Sequence, residues 1–159
     1  RSVNQLEKKA IMATDKINKV ATLAEFRERN SAGVFKQSRQ AHEQQRQQFD
    51  QLIQFKQEYE ARLGQVGEQG IPARQLQDYR LFLSKLNQAI EQQRAAVSDS
   101  AQQLEGDREQ WMTEARHKTA MDKLVDQRHS KALRNQERAE QQDADEKSLA
   151  RKSLEYPPR

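Results

Sequence analysis

One break divides this chain. Gly64-Gln-Val-Gly67-Glu-Gln-Gly70-Ile-Pro72 is the only cluster of helix breakers in the sequence. Three glycines at intervals of three, then a proline, mark a loop and a fresh start, because proline suits a helix N-terminus where its missing N–H is not needed. From about Lys16 to the loop, and from the loop to about Arg151, there is no proline, and Gly33 and Gly106 are the only interior glycines. Each of these costs a helix about 1 kcal/mol relative to alanine, which a long helix absorbs.

Both arms carry apolar or seam-sized residues at alternating three- and four-residue steps. In the first arm they are Phe35, Ser38, His42, Gln45, Phe49, Leu52, Lys56, Tyr59 and Leu63. In the second they are Tyr79, Leu83, Leu86, Ile90, Gln93, Val97, Ala101, Leu104, Arg108, Trp111 and Ala115. That spacing is a heptad seam, and a short loop forces the two arms antiparallel. Pairing them outward from the centre of the loop sets Leu52 against Leu83 and Phe49 against Leu86, with Phe35 near Ser100 and Ala24 near Trp111. The fold class is all-α, a long two-helix antiparallel coiled-coil hairpin.

Composition decides between such a hairpin and disorder. The chain has 159 residues, of which 34% are hydrophobic and 33% charged, and its mean hydropathy is −1.17. A globular domain is closer to half apolar, so a thick core is not available. Disorder is normally rich in Pro, Gly and Ser; here Gln, Glu, Ala, Arg, Lys and Leu dominate, and these form helices. The expected organisation is an N-terminal extension over 1–15, disordered or helical, then a single hairpin over 16–152. The hairpin comprises a helix over 16–63, a tip loop over 64–71 and a second helix over 72–152. Residues beyond about 125 project past the first arm, and 153–159 form a disordered tail.

Little in the sequence points to chemistry. There is no cysteine, which fits a cytoplasmic location and excludes thiolate metal sites. His42, His117 and His129 are too far apart to share a helical metal site, whose ligands sit three or four residues apart. The loop lacks the Gly-Lys-Ser/Thr ending of a phosphate-binding loop. Asp143-Ala-Asp145-Glu146 lacks the glycine turn and the spaced glutamate of a calcium loop. Catalysis also needs a concave site with converging groups, which two helices do not provide. The expectation is a binding protein: no enzyme activity, no cofactor, no metal.

The 28 basic residues are interleaved with 24 acidic ones for a net charge of +4. A nucleic-acid footprint is a concentrated basic stripe with aromatic platforms, so no nucleic-acid partner is expected. No apolar run approaches the ~20 residues needed to cross a bilayer, so direct membrane insertion is not expected either. Near the loop, Ile53, Phe55, Phe82 and their neighbours are more apolar surface than one seam can use, since Ile53 adjoins Leu52 and Phe82 adjoins Leu83. Surplus aromatic surface on a soluble helix pair marks a docking site.

Two stretches carry a resemblance. Leu52-Ile-Gln-Phe-Lys-Gln-Glu-Tyr59, a glycine loop, and then Tyr79-Arg-Leu-Phe82-Leu-Ser-Lys-Leu86-Asn-Gln-Ala-Ile90 resemble the flagellar FliJ family of type III export proteins. Trp111 stands where members often carry tryptophan, and Asp145-Glu146 with Arg151-Lys152 is similar to the family's ending. The likeness covers roughly 16–152, and Met12 lies about where members begin, so the residues before it read as an upstream extension. The resemblance implies a rotor-stalk-like coiled coil, cytoplasmic and peripheral at the inner-membrane face of the flagellar basal body. It implies three partners: the hexameric flagellar export ATPase, the cytoplasmic domain of the export-gate membrane protein, and flagellar export chaperones. The gate-docking face it implies is Gln48, Leu52, Phe55, Tyr59, Phe82, Leu86 and Ala89, with the ATPase at the open end, near residues 16–30 and 110–130. The alternatives are the equivalent stalk of a virulence-type secretion system and a generic coiled-coil scaffold.

Overall fold

The computed structural model describes residues 2–155 and is an all-α two-helix hairpin. Helix α1 is Ser2–Glu68 and helix α2 is Ala73–Glu155, with no strand among the described residues. The N-terminal stretch expected as an extension is helical from Ser2 onward. Of the expected tail, residues 153–155 close α2 and 156–159 lie outside the described residues.

The turn is tighter and later than the glycine spacing predicts. Instead of looping from residue 64, α1 runs through Gly64 and Gly67 to Glu68. Two glycines weaken a helix but do not stop it; a left-handed residue does. Gly70 supplies one, at φ 86°. Ahead of it the last turn tightens, with Gln69 N–H donating to Val66 C=O at 3.1 Å and Gly70 N–H to Gly67 C=O at 3.2 Å. Pro72 then offers its carbonyl to Leu76 N–H at 3.1 Å and opens α2, where its own missing N–H costs nothing.

Packing divides the chain into two compact units, one of residues 28–114 and the other of residues 1–27 with 115–159. In the 28–114 unit every shielded side chain of α1 between Glu28 and Val66 falls on alternating three- and four-residue steps, apart from Ala32 and Ile53, each next to a seam residue. The seam anticipated from Phe35 to Leu63 is therefore the seam observed. On α2 the anticipated positions hold from Tyr79 to Val97 and then diverge. Ala101 and Arg108 are exposed, and Ser100 and Asp107 take the seam places. A helix keeps its heptad phase whatever the residue type, and after Val97 that phase lands on Ser100, Leu104, Asp107 and Trp111. Arg108 instead meets Glu105 on the solvent face at 3.4 Å.

Consequently the cross-helix partners differ from those expected. Ser100 faces His42, not Phe35, a displacement of one heptad along α1. Trp111 stacks on Phe35 at 5.6 Å with rings 8° from parallel, where Ala24 was the expected neighbour. The displacement follows from the turn: moving its centre three residues toward the C-terminus advances every pairing by about twice that number. Only Leu86, Ile90 and Ser31 are buried in this unit, the sparse core that two helices alone can enclose.

The other unit is thinner still. Ala24, at 1% exposure, is its one buried residue among those described. Ile17, Ala21, Met121, Leu124 and Val125 are half-buried. A cleft of about 240 Å³ is lined by Ile17, Val125 and Ala132 together with Thr14, Arg128 and His129. Side chains 4–16 of α1 and 126–154 of α2 are all exposed. The Lys147–Asp143 ion pair, one helical turn apart at 2.7 Å, supports the second of these stretches by a few tenths of a kcal/mol, and Lys118–Asp122, also at 2.7 Å, does the same nearer the packed part of α2.

Candidate protein-docking face near the turn

The heptad places Leu52, Lys56, Tyr59 and Leu63 toward α2, which leaves residues one step off the seam at its rim. Phe55 and Phe82 occupy such positions on opposite helices, and their rings meet edge to face, centroids 6.1 Å apart at 72°. Tyr59 lies beneath both, 4.5 Å from Phe82 and 6.4 Å from Phe55. It also meets Tyr79 edge-on at 5.7 Å and 62°. Four rings therefore form one cluster across the two helices. Edge-to-face and offset contacts suit the ring quadrupoles and add about 0.5–1.5 kcal/mol per pair beyond area burial.

Burial sorts the expected docking residues. Phe55 remains 46% exposed and Phe82 38%, and Gln48 is exposed. Leu52, Tyr59 and Ala89 are half-buried, whereas Leu86 is only 7% exposed and supports the face from beneath. Leu81, at 58% exposure, is a further exposed aliphatic side chain on α2, two residues from the seam residue Leu83 and so on the side of the helix away from α1. Packing against the rings, with the neighbouring Tyr79 as a smaller cause, raises the Tyr59 hydroxyl above its ordinary pKa. The edge of the face carries charge: the Arg94 guanidinium sits 5.3 Å over the Phe49 ring, a cation–π contact.

Beyond the rings, away from the turn, the seam becomes polar. Gln93 Nε2 donates to Gln45 Oε1 at 2.7 Å and to the Gln45 carbonyl at 2.9 Å. Ser100 Oγ donates to the Val97 carbonyl at 2.9 Å, so with its single proton committed it accepts from His42 Nδ1–H at 2.8 Å. Ser38 donates to the Asp107 carboxylate, which also receives Gln103 Nε2 at 3.1 Å. These two bonds, Ser38 first, hold the Asp107 pKa below its ordinary value against a smaller opposing effect of burial. Trp111 Nε1 donates to Glu28 Oε1 at 2.9 Å. No buried side-chain N or O among the described residues lacks a partner.

A family model described as "Flagellar FliJ protein" matches residues 12–153. The chain belongs to the FliJ family. FliJ membership makes it a protein of flagellar export and assembly, and the family is one of stalk- and chaperone-type export proteins, not a known enzyme family. No curated protein and no solved structure matches this FliJ chain significantly. Among its described residues, no helix is long and apolar enough to cross a membrane.

Proposed function

We infer that this FliJ-family chain is a stalk and coupling protein of the flagellar export machinery. It docks through the ring cluster near its turn onto the cytoplasmic domain of the export-gate membrane protein. Its other unit engages the hexameric export ATPase, and the chain also escorts export chaperones, all at the cytoplasmic face of the flagellar base. The observation that carries this reading is the pair Phe55 and Phe82. They come from different helices, share one ring cluster, and stay 46% and 38% exposed on positions that the family resemblance implies for gate docking. Large exposed aromatics backed by packed rings are the side chains that dominate protein–protein affinity.

The ATPase role rests on the unit of residues 1–27 and 115–159, where Leu23 and Phe26 remain 48% and 67% exposed. Two unlike helices cannot satisfy six equivalent subunits at once. Their contacts bias the subunits unequally, so the chain changes assembly and turnover through differential binding alone and hydrolyses nothing itself.

The test uses the purified chain, its cognate ATPase and the gate's cytoplasmic domain. Phe55→Ala/Phe82→Ala should abolish gate binding and motility while leaving stimulation of ATP hydrolysis intact. Phe26→Ala should do the reverse. Undiminished gate binding by the double variant, or no stimulation at saturating wild-type chain, refutes the corresponding half of the reading.

A further inference from the structure

The seam spacing in residues 28–114 admits more than one register. Sliding one heptad leaves every seam position on the seam, because three- and four-residue steps repeat every seven residues. Polar contacts select the observed register. Gln45 with Gln93, His42 with Ser100, and Ser38 with Asp107 form only when the helices are aligned as they are. One heptad away, Gln45 faces Ile90 and Glu28 faces Asp107, an apolar mismatch and a like-charge pair. The same shift improves the seam near the turn, where Leu52 meets Leu83 and Phe49 meets Leu86.

A slide needs slack at the turn, and the end of α1 holds it. Bringing Ala73 level with a residue near 62 requires the segment 64–68 to leave the helix. That segment begins with Gly64 and includes Gly67, both helical and both with nothing within 4 Å of where a Cβ would stand. Neither glycine is there to admit a close neighbour, and neither has the positive φ of Gly70. What they do is weaken the last turns of α1 at the place where a slide requires unwinding. A longer loop then closes at small entropic cost.

We propose that residues 28–114 form a register switch: unwinding of 64–68 lets α2 slide one heptad, about 10 Å at 1.5 Å per residue, past α1, and the polar layers hold the resting register. The ring cluster reads this change directly. Tyr59 moves from Tyr79 and Phe82 toward Leu76, so a protein that grips the rings in one arrangement selects one register and transmits that choice along the seam to Trp111. The device does not depend on which protein binds.

The chain has no cysteine, so engineered pairs report register cleanly. Ser31→Cys/Leu104→Cys face each other only after the slide, while His42→Cys/Ser100→Cys face each other at rest. A disulfide cannot bridge Cα atoms much beyond about 7 Å. In the full chain under mild oxidation, the resting pair should close fast and the slid pair slowly but measurably. Adding Gly64→Ala/Gly67→Ala should slow closure of the slid pair about twenty-fivefold, about fivefold per glycine, without slowing the resting pair. Adding Gln45→Leu/Gln93→Leu should speed it. Fraying at the turn cannot imitate this result, since residues 31 and 104 lie more than thirty residues from the glycines. Absence of the slid crosslink, or a rate indifferent to the glycine substitutions, overturns the proposal.

Discussion

The Gln45–Gln93 layer offers a sharp test of what polar seam residues contribute. Both side chains are half-buried, and Gln93 Nε2 makes two bonds to Gln45, at 2.7 and 2.9 Å. Gln93→Leu removes both and leaves the Gln45 amide facing an apolar neighbour. At about 0.5–1.5 kcal/mol per neutral bond, offset by about 1 kcal/mol for half-burying a leucine, the single change should cost about 1 kcal/mol. Gln45→Leu removes only the side-chain bond, because the bond to the backbone carbonyl of residue 45 survives, and should cost roughly half as much. The double variant removes both polar partners together, gains two half-buried leucines, and immobilises less flexible side chains than glutamine. It should equal or exceed the wild type in stability, giving a favourable coupling of about 1.5 kcal/mol between the two changes. Urea denaturation followed by circular dichroism and by Trp111 fluorescence measures all four species, since Trp111 belongs to the same unit. If the double variant loses as much as the two singles added, the layer does not act as a pair and the reasoning is wrong.

The turn glycines should respond with opposite signs. Gly64→Ala and Gly67→Ala each raise thermal stability by about 1 kcal/mol, whereas Gly70→Ala, forced to φ 86°, lowers it by about 1–2 kcal/mol. Phe82→Ala should weaken binding of the gate's cytoplasmic domain by more than tenfold, a loss above about 1.4 kcal/mol, and should also lower the melting temperature through its lost contacts with Phe55 and Tyr59; calorimetric titration at a temperature where circular dichroism shows the variant fully folded separates the two. Because Ser38 and Gln103 hold the Asp107 pKa below its ordinary 3.8, its contribution is full above that value and is lost as pH falls through the lower, folded-state pKa. Asp107→Asn should therefore flatten the acid limb of a stability–pH curve below about pH 4 and leave its slope near neutrality unchanged.

How much of this was legible in the sequence depends on which physical quantity carried the signal. Helix identity and the α1 seam rest on local propensity and phase, and both are written in the residues from Phe35 to Leu63. Phe55 and Phe82 were legible as surplus because each adjoins or offsets a seam residue that already fills the groove. The α2 seam beyond Val97 was misread because an apolar alanine at 101 drew the pattern off a phase that Ser100 and Asp107 keep. Register was lost for a deeper reason. A heptad seam is unchanged by a seven-residue slide, so hydrophobic pattern alone cannot distinguish Phe35 opposite Ser100 from His42 opposite Ser100. The choice falls to a left-handed glycine at 70 and to hydrogen bonds between side chains more than forty residues apart, neither of which has a periodic signature. The readable clue is the polarity itself: both arms turn polar at similar distances from Gly70, at Gln45 and Gln93, and polar seam residues recur further out on each arm, at Ser38 and at Asp107. Polar residues that recur in step on two arms cannot be adding hydrophobic stability, so what they add is a choice of partner.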